Sequence, residues 1–184
     1  MVKRLRVEHV GLLEKLLTYL LATVGNVTSY AALVKKSAAL GVHLKDSTVV
    51  DYVSYLQKSF ALFETGKFSW KQSRHFATTR KYYAVDTGLA CIVRPVEENR
   101  SFRMENIVFL ELKLRGAEVF YGSSDSGREI DFITRTDAGW EQYQVADTLT
   151  DENRKREFGA FALAAPFLGT GQLLLWSACS KLCK

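Results

Sequence analysis

Arg128-Glu129-Ile130-Asp131-Phe132-Ile133, then the turn Asp137-Ala138-Gly139, then Trp140-Glu141-Gln142-Tyr143-Gln144-Val145-Ala146, is the stretch that decides how the second half of this chain folds. Strand side chains alternate between faces, so Glu129 and Asp131 are expected on one side and Ile130 and Phe132 on the other. The Asp-Ala-Gly turn between two such runs predicts an antiparallel hairpin. A register that seals Phe132 against Tyr143 and Val145 sets Asp131 beside Gln144 or Ala146.

Working outward, the apolar spacing predicts a helix over 101–115 with Gly116 as its stop, followed by a strand over 117–121. Glu105 falls one and two turns before Phe109 and Leu112, which places an ionisable group on the face that should pack inward. The hairpin strands span 128–134 and 140–146. Thr150 is read as the cap of a helix with Asp151 and Glu152 in its first turn and Phe158, Phe161 and Ala162 on its buried side. A final strand is expected over 173–176. The carboxylates of Glu105 and Asp131, joined by the side-chain oxygen of Gln144, would line an oxygen-rich pocket suited to Mg²⁺.

The first half has a different grammar. Val10, Leu13, Leu17, Leu20 and Val24 recur at helical spacing over 7–24, up to Gly25. A second helix is expected over 29–40, before Gly41. A third begins at Asp46 or Ser47, either of which can cap it, and presents Val49, Val53, Leu56 and Phe60 on one face. Two strand-like segments follow, 61–68 and 80–85. Three helices and a two-stranded wing are the outline of a winged helix, so the chain divides into units at 1–92 and 93–184. The third helix offers Asp51, Tyr52, Ser54, Tyr55 and a single cation, Lys58, on its polar face, which does not suit base reading.

Net charge is +5 with a pI near 9.1. That surplus matters because the cations cluster: Lys67, Lys71, Arg74, Arg80 and Lys81 run without an intervening acid, interleaved with Phe68, Trp70, His75, Phe76, Tyr82 and Tyr83. This is read as a DNA-contacting wing, with a solvated loop whose aromatics fill a joint as the plainer alternative. Cys91, Cys179 and Cys183 match neither a disulfide framework nor a zinc site, and His9, His43 and His75 are scattered. The thiols are expected to be reduced and the protein cytoplasmic, with no signal peptide and no membrane span. The glycines of 122–129 have Walker spacing, but Arg128 and Glu129 stand where Lys and Ser/Thr are needed, so no ATP site is expected here.

The order helix, three strands, helix, strand, with Glu105, Asp131 and the Gln144-Val145 pair, resembles the PD-(D/E)xK nuclease superfamily. More narrowly, Glu-Asn-Ile-Val-Phe-Leu-Glu-Leu at 105–112, Glu-Ile-Asp-Phe at 129–132, Gln-Val at 144–145, Arg-Glu at 156–157 and Tyr-Tyr-Ala-Val-Asp-Thr-Gly-Leu at 82–89 resemble the C-terminal domain of unknown function of bacterial and archaeal AAA-type ATPases. The resemblance implies an α+β or α/β chain, a winged helix followed by an αβββαβ nuclease-like core, with the ATPase domain on a missing N-terminal part or on another chain. An active site of this kind uses two acidic metal ligands and a lysine. Here the second acid is Gln144 and the lysine position holds Ala146, so a degenerate site without hydrolysis is expected, with Glu105, Asp131 and Gln144 as the residues that could still hold Mg²⁺. Two alternatives stay open. One is a Mg²⁺-dependent DNA nuclease with a displaced lysine, in which Glu129 would restore negative charge and Lys113, on a flank of the Glu105 helix, would replace the lysine. The other is a protein-interaction or homo-oligomerisation domain that does not touch nucleic acid.

Overall fold

A computed structural model describes residues 7, 9–39, 41–43, 45–69, 78–93, 100–124, 128–162, 168 and 172–175. The order is α1 (Val10–Ala22), β1 (Thr28–Ser29), α2 (Tyr30–Ala39), α3 (Asp46–Lys58), β2 (Leu62–Gly66), β3 (Thr79–Ala84), α4 (Thr87–Val93), α5 (Arg100–Leu114), β4 (Glu118–Ser123), β5 (Glu129–Thr136), β6 (Gly139–Ala146), α6 (Asp151–Phe161) and β7 (Gln172–Leu175). The class is mixed α+β. Among the described residues no helix is long and apolar enough to cross a membrane.

Two sheets organise the chain. The first is antiparallel in the order β1-β3-β2, and the second runs β4-β5-β6-β7, antiparallel except for the parallel pair β6 and β7. A bridge between Lys67 and Tyr121 ties one sheet to the other. One continuous core crosses both expected units, from Leu13 and Leu20 of α1 through Leu56, Leu62 and Tyr83 to Phe109, Phe132 and Val145. A smaller cluster, Ile130 and Ile133 with Phe68 and Phe120 against them, lies elsewhere on the second sheet.

Local chemistry explains most of the boundaries. Gly25, Gly41 and Gly116 all take positive φ just past a helix, where a residue with a Cβ is strained. Three expectations need correction. Neither Asp46 nor Ser47 caps α3: the N-cap is Lys45, with no side-chain cap bond. Phe60 does not join the buried face of Val49, Val53 and Leu56, because it sits at φ 55 beyond the helix end while Ala61 N–H bonds back to Leu56 O, and that left-handed turn leaves its ring 76% exposed. On α6, Phe158 is exposed and Glu157 is buried instead. The short strand β1 and helix α4 have no strong periodic signal and were not expected.

Candidate functional site

Strand β3 lies in the middle of the first sheet, and its alternation sorts four consecutive polar or aromatic side chains into two sets. Arg80 and Tyr82 reach Glu64, while Lys81 and Tyr83 reach Glu105. Lys81 is only 1% exposed. Its Nζ lies 2.9 Å from Glu105 Oε1 and is also ion-paired with Glu129. Tyr83 Oη donates to the same Glu105 oxygen at 2.7 Å, and its ring stacks on Phe109 of α5 with centroids 4.1 Å apart. The far side of the Glu105 carboxylate rests on Gly25, where a Cβ would stand 3.0 Å from Oε2. Glu105 is therefore held at once by the end of α1, by β3 and by its own helix.

Asp131 reaches this cluster through an irregularity in β5. Phe120 pairs with Ile133 and Gly122 with Ile130, so the single residue Tyr121 faces two, Asp131 and Phe132. Such a bulge changes the side-chain alternation and re-aims side chains. Phe132 packs on Tyr83 and Phe109, whereas Ile130 joins Ile133 in the smaller cluster. The alternation expected for 129–132 holds for Glu129 and Asp131, which both act on Lys81, but not for Ile130 and Phe132, which belong to different clusters. The hairpin register is the one expected, with Phe132 opposite Tyr143. Beyond that pair, side chains take over from the ladder: Val145 N–H donates to Asp131 Oδ2 at 2.8 Å, and Asp131 N–H donates to Gln144 Oε1 at 3.2 Å. Gln144 Nε2 then donates to Glu157 Oε2 at 3.0 Å, and Arg156 closes the chain on Glu157 Oε1 at 2.6 Å.

The charges settle accordingly. Burial, then the neighbouring Glu105 charge, push the Asp131 carboxyl up to about 8. Burial pulls the Lys81 ammonium down, but Glu105, Glu129 and Asp131 outweigh it and hold its pKa above the ordinary lysine value. Burial and Glu105 together raise the Tyr83 phenol. The cluster contains its own cation.

These contacts test the Mg²⁺ site that Glu105, Asp131 and Gln144 were expected to form. The three side chains do come together, yet one oxygen of each is already engaged, Glu105 Oε1 by Lys81 and Tyr83, Asp131 Oδ2 by Val145, and Gln144 Oε1 by Asp131, and the Lys81 ammonium sits among them. Among the described residues no three His, Cys, Asp or Glu side chains are arranged to hold a metal ion. The donor set as it stands does not fit Mg²⁺, which wants several free oxygens and substantial negative charge.

The expected DNA-contact set also changes. Lys81 is withdrawn from it by burial, which is a correction. Arg80 Nε lies 2.6 Å from Glu64 Oε1, and its guanidinium covers the Tyr30 ring, so it too is engaged within the fold. Lys67 is half-buried at the bridge to Tyr121. Lys71 and Arg74 lie outside the described residues. Phe68 packs against Trp140 and Phe120, with centroids 5.2 and 6.0 Å away, which is the joint-filling role. Tyr52, read as part of the polar face of α3, is buried and accepts a hydrogen bond from His9 N–H. Lys113 is exposed, and Lys81 stands where a displaced lysine was sought. A signal for Lys81 was present, since four successive residues of one strand cannot all face solvent. Glu157 carried no signal beyond the Arg-Glu pair at 156–157.

The family model that describes a domain of unknown function, DUF8612, matches residues 1–100. An uncharacterized protein of Haemophilus influenzae is 29% identical over 133 residues, 72% of this chain and 33% of the relative. The uncharacterized protein MJ1544 of Methanocaldococcus jannaschii is 25% identical over 162 residues, 86% of this chain and 35% of its own length. The chain thus spans about a third of the curated relatives it matches. No solved structure matches it.

Proposed function

The chain belongs to the DUF8612 family of domains of unknown function, and from that premise we propose that it is a DNA-binding or regulatory, non-catalytic module of an AAA-type ATPase. In this reading 1–92 form a winged helix and 93–184 a PD-(D/E)xK nuclease-like unit. The order α1, α2, α3, β2, β3 supports the first assignment, and α5, β4, β5, β6, α6, β7 supports the second. The Lys81 ammonium carries the non-catalytic part of the reading: it neutralises the carboxylates that a nuclease would turn toward a metal. A polar cluster satisfied in this way rigidifies the fold. The ATPase connection rests on the motif resemblance, and relatives more than twice the length leave room for such a domain.

With Lys81 buried, non-specific DNA contact falls to Lys67, Lys71 and Arg74. Duplex DNA should bind the full chain weakly, with affinity falling as salt rises. Replacing those three by Ala should flatten the salt slope by about two to three units. Binding that is absent at low ionic strength, or indifferent to the triple replacement, removes the DNA reading. The competing reading is a Mg²⁺-dependent nuclease with a displaced lysine. It has one observation in its favour, the presence of Lys81 between Glu105 and Glu129, but it requires the metal to displace that ammonium. Incubating linear and supercoiled DNA with Mg²⁺ or Mn²⁺ separates the two. We expect no cleavage, and cleavage lost in Asp131→Asn with an unchanged melting temperature would reverse the assignment.

A further inference from the structure

We propose that the cleft between α1 and α2 binds a small amphiphilic carboxylate, an apolar chain or ring carrying one anionic head. Leu12, Leu16 and Tyr19 recur at steps of four and three along α1, so they form one stripe, and Leu33 of α2 faces them across the cleft. Leu12 and Leu33 are buried, whereas Leu16 and Tyr19 remain half-exposed toward the opening. The space between these walls is about 350 Å³. That lies at the lower end of the roughly 300–1,000 Å³ of small-molecule sites and takes one apolar group, not the successive anchors of a docked helix.

The head group follows from the lining. Lys15 on α1 and Lys36 on α2 are exposed residues on opposite walls of the cleft. Among the described residues neither forms an ion pair. The Lys36 ammonium lies over the Tyr19 ring, 4.4 Å from its centroid, so its stem runs along the apolar wall. Two ammonium groups beside an apolar cavity favour an anion with a greasy tail and disfavour a cationic one of the same size.

Calorimetric titration of the full chain with decanoate, decyltrimethylammonium and acetate tests this. Decanoate should saturate below about 1 mM, and the other two should not. The double variant Lys15→Glu/Lys36→Glu changes exposed positions and gives up only the Lys36–Tyr19 ring contact, so it should melt close to wild type and bind decanoate about five- to tenfold more weakly. Ala39→Trp, which fills the cleft, should abolish binding without charge reversal. Three results would overturn the proposal: equal binding of decanoate and its cationic counterpart, decanoate affinity unmoved by the charge reversal, or lysine-dependent binding of an acidic amphipathic peptide with none of decanoate.

Discussion

The two faces of β3 each hold a carboxylate, and the two carboxylates are held differently. Glu64 is a neighbour of its partners: it lies on β2, directly opposite Tyr82 in the ladder, and also accepts hydrogen bonds from Tyr30, Gln57 and Arg80. Both it and Arg80 keep contact with solvent, at 21% and 27% of their side chains. Glu105 instead comes from a helix more than twenty residues away and meets Lys81, Tyr83 and the backbone at Gly25, with an almost fully buried cation. Glu64 fastens the first sheet to α2 and α3, all within the first half of the chain. Glu105 fastens the first sheet to the second half of the chain and faces an almost fully buried cation, so it has more to lose.

The largest effect should follow from Lys81→Met, which leaves Glu105 and Glu129 facing each other without a cation. Breaking a buried pair on one side costs about 3–5 kcal/mol, and chemical denaturation should find most of that although Glu129 is partly solvated. A loss below about 1 kcal/mol would mean the Lys81 cluster is no more structural than a surface ion pair. Gly25→Ala comes next, since the φ of 78° and the Glu105 carboxylate at 3.0 Å both resist a Cβ; about 2 kcal/mol is expected. Combined with Glu105→Ala, which clears that space, the glycine change should cost less than alone, and a strictly additive double mutant would break the link between them.

Glu64→Gln should cost only about 1 kcal/mol, because the amide still accepts hydrogen bonds from the tyrosines and loses chiefly the half-solvated pair with Arg80. A cost equal to that of Lys81→Met would erase the distinction between the two faces. In mildly acidic solution Asp131→Asn should have the smallest effect of all. The folded Asp131 carboxyl titrates near 8, above its unfolded value of 3.8, so the folded state holds an extra proton between those limits. Its contribution is complete below about pH 4 and is lost as pH rises toward about 8. Wild type should therefore lose ground to the Asn variant over that window, with the gap levelling beyond it. Parallel melting curves across the range would show that Asp131 is ionised in the fold.

Much of this architecture was legible in the order of residues. The helices before Gly25, Gly41 and Gly116, the hairpin around 137–139 and the register of Phe132 on Tyr143 all follow from spacing and turn chemistry, which act over a few residues. Glu105, Asp131 and Gln144 were brought together for the same reason, each lying at a predictable position on its own element. The use of that cluster was not legible. Lys81 looked like one more cation in a basic run because its partner Glu105 lies 24 residues on and Glu129 lies 48 on. The bulge at Asp131 and Phe132 depends on how β4 lies beside β5, and the exposure of Phe60 on how α3 ends. What the sequence alone determined was most of the elements, all but β1 and α4, and the carboxylates that some of them carry. What only the tertiary structure decided was which cation faces those carboxylates, because that is chosen by long-range packing, which short-range periodicity does not encode.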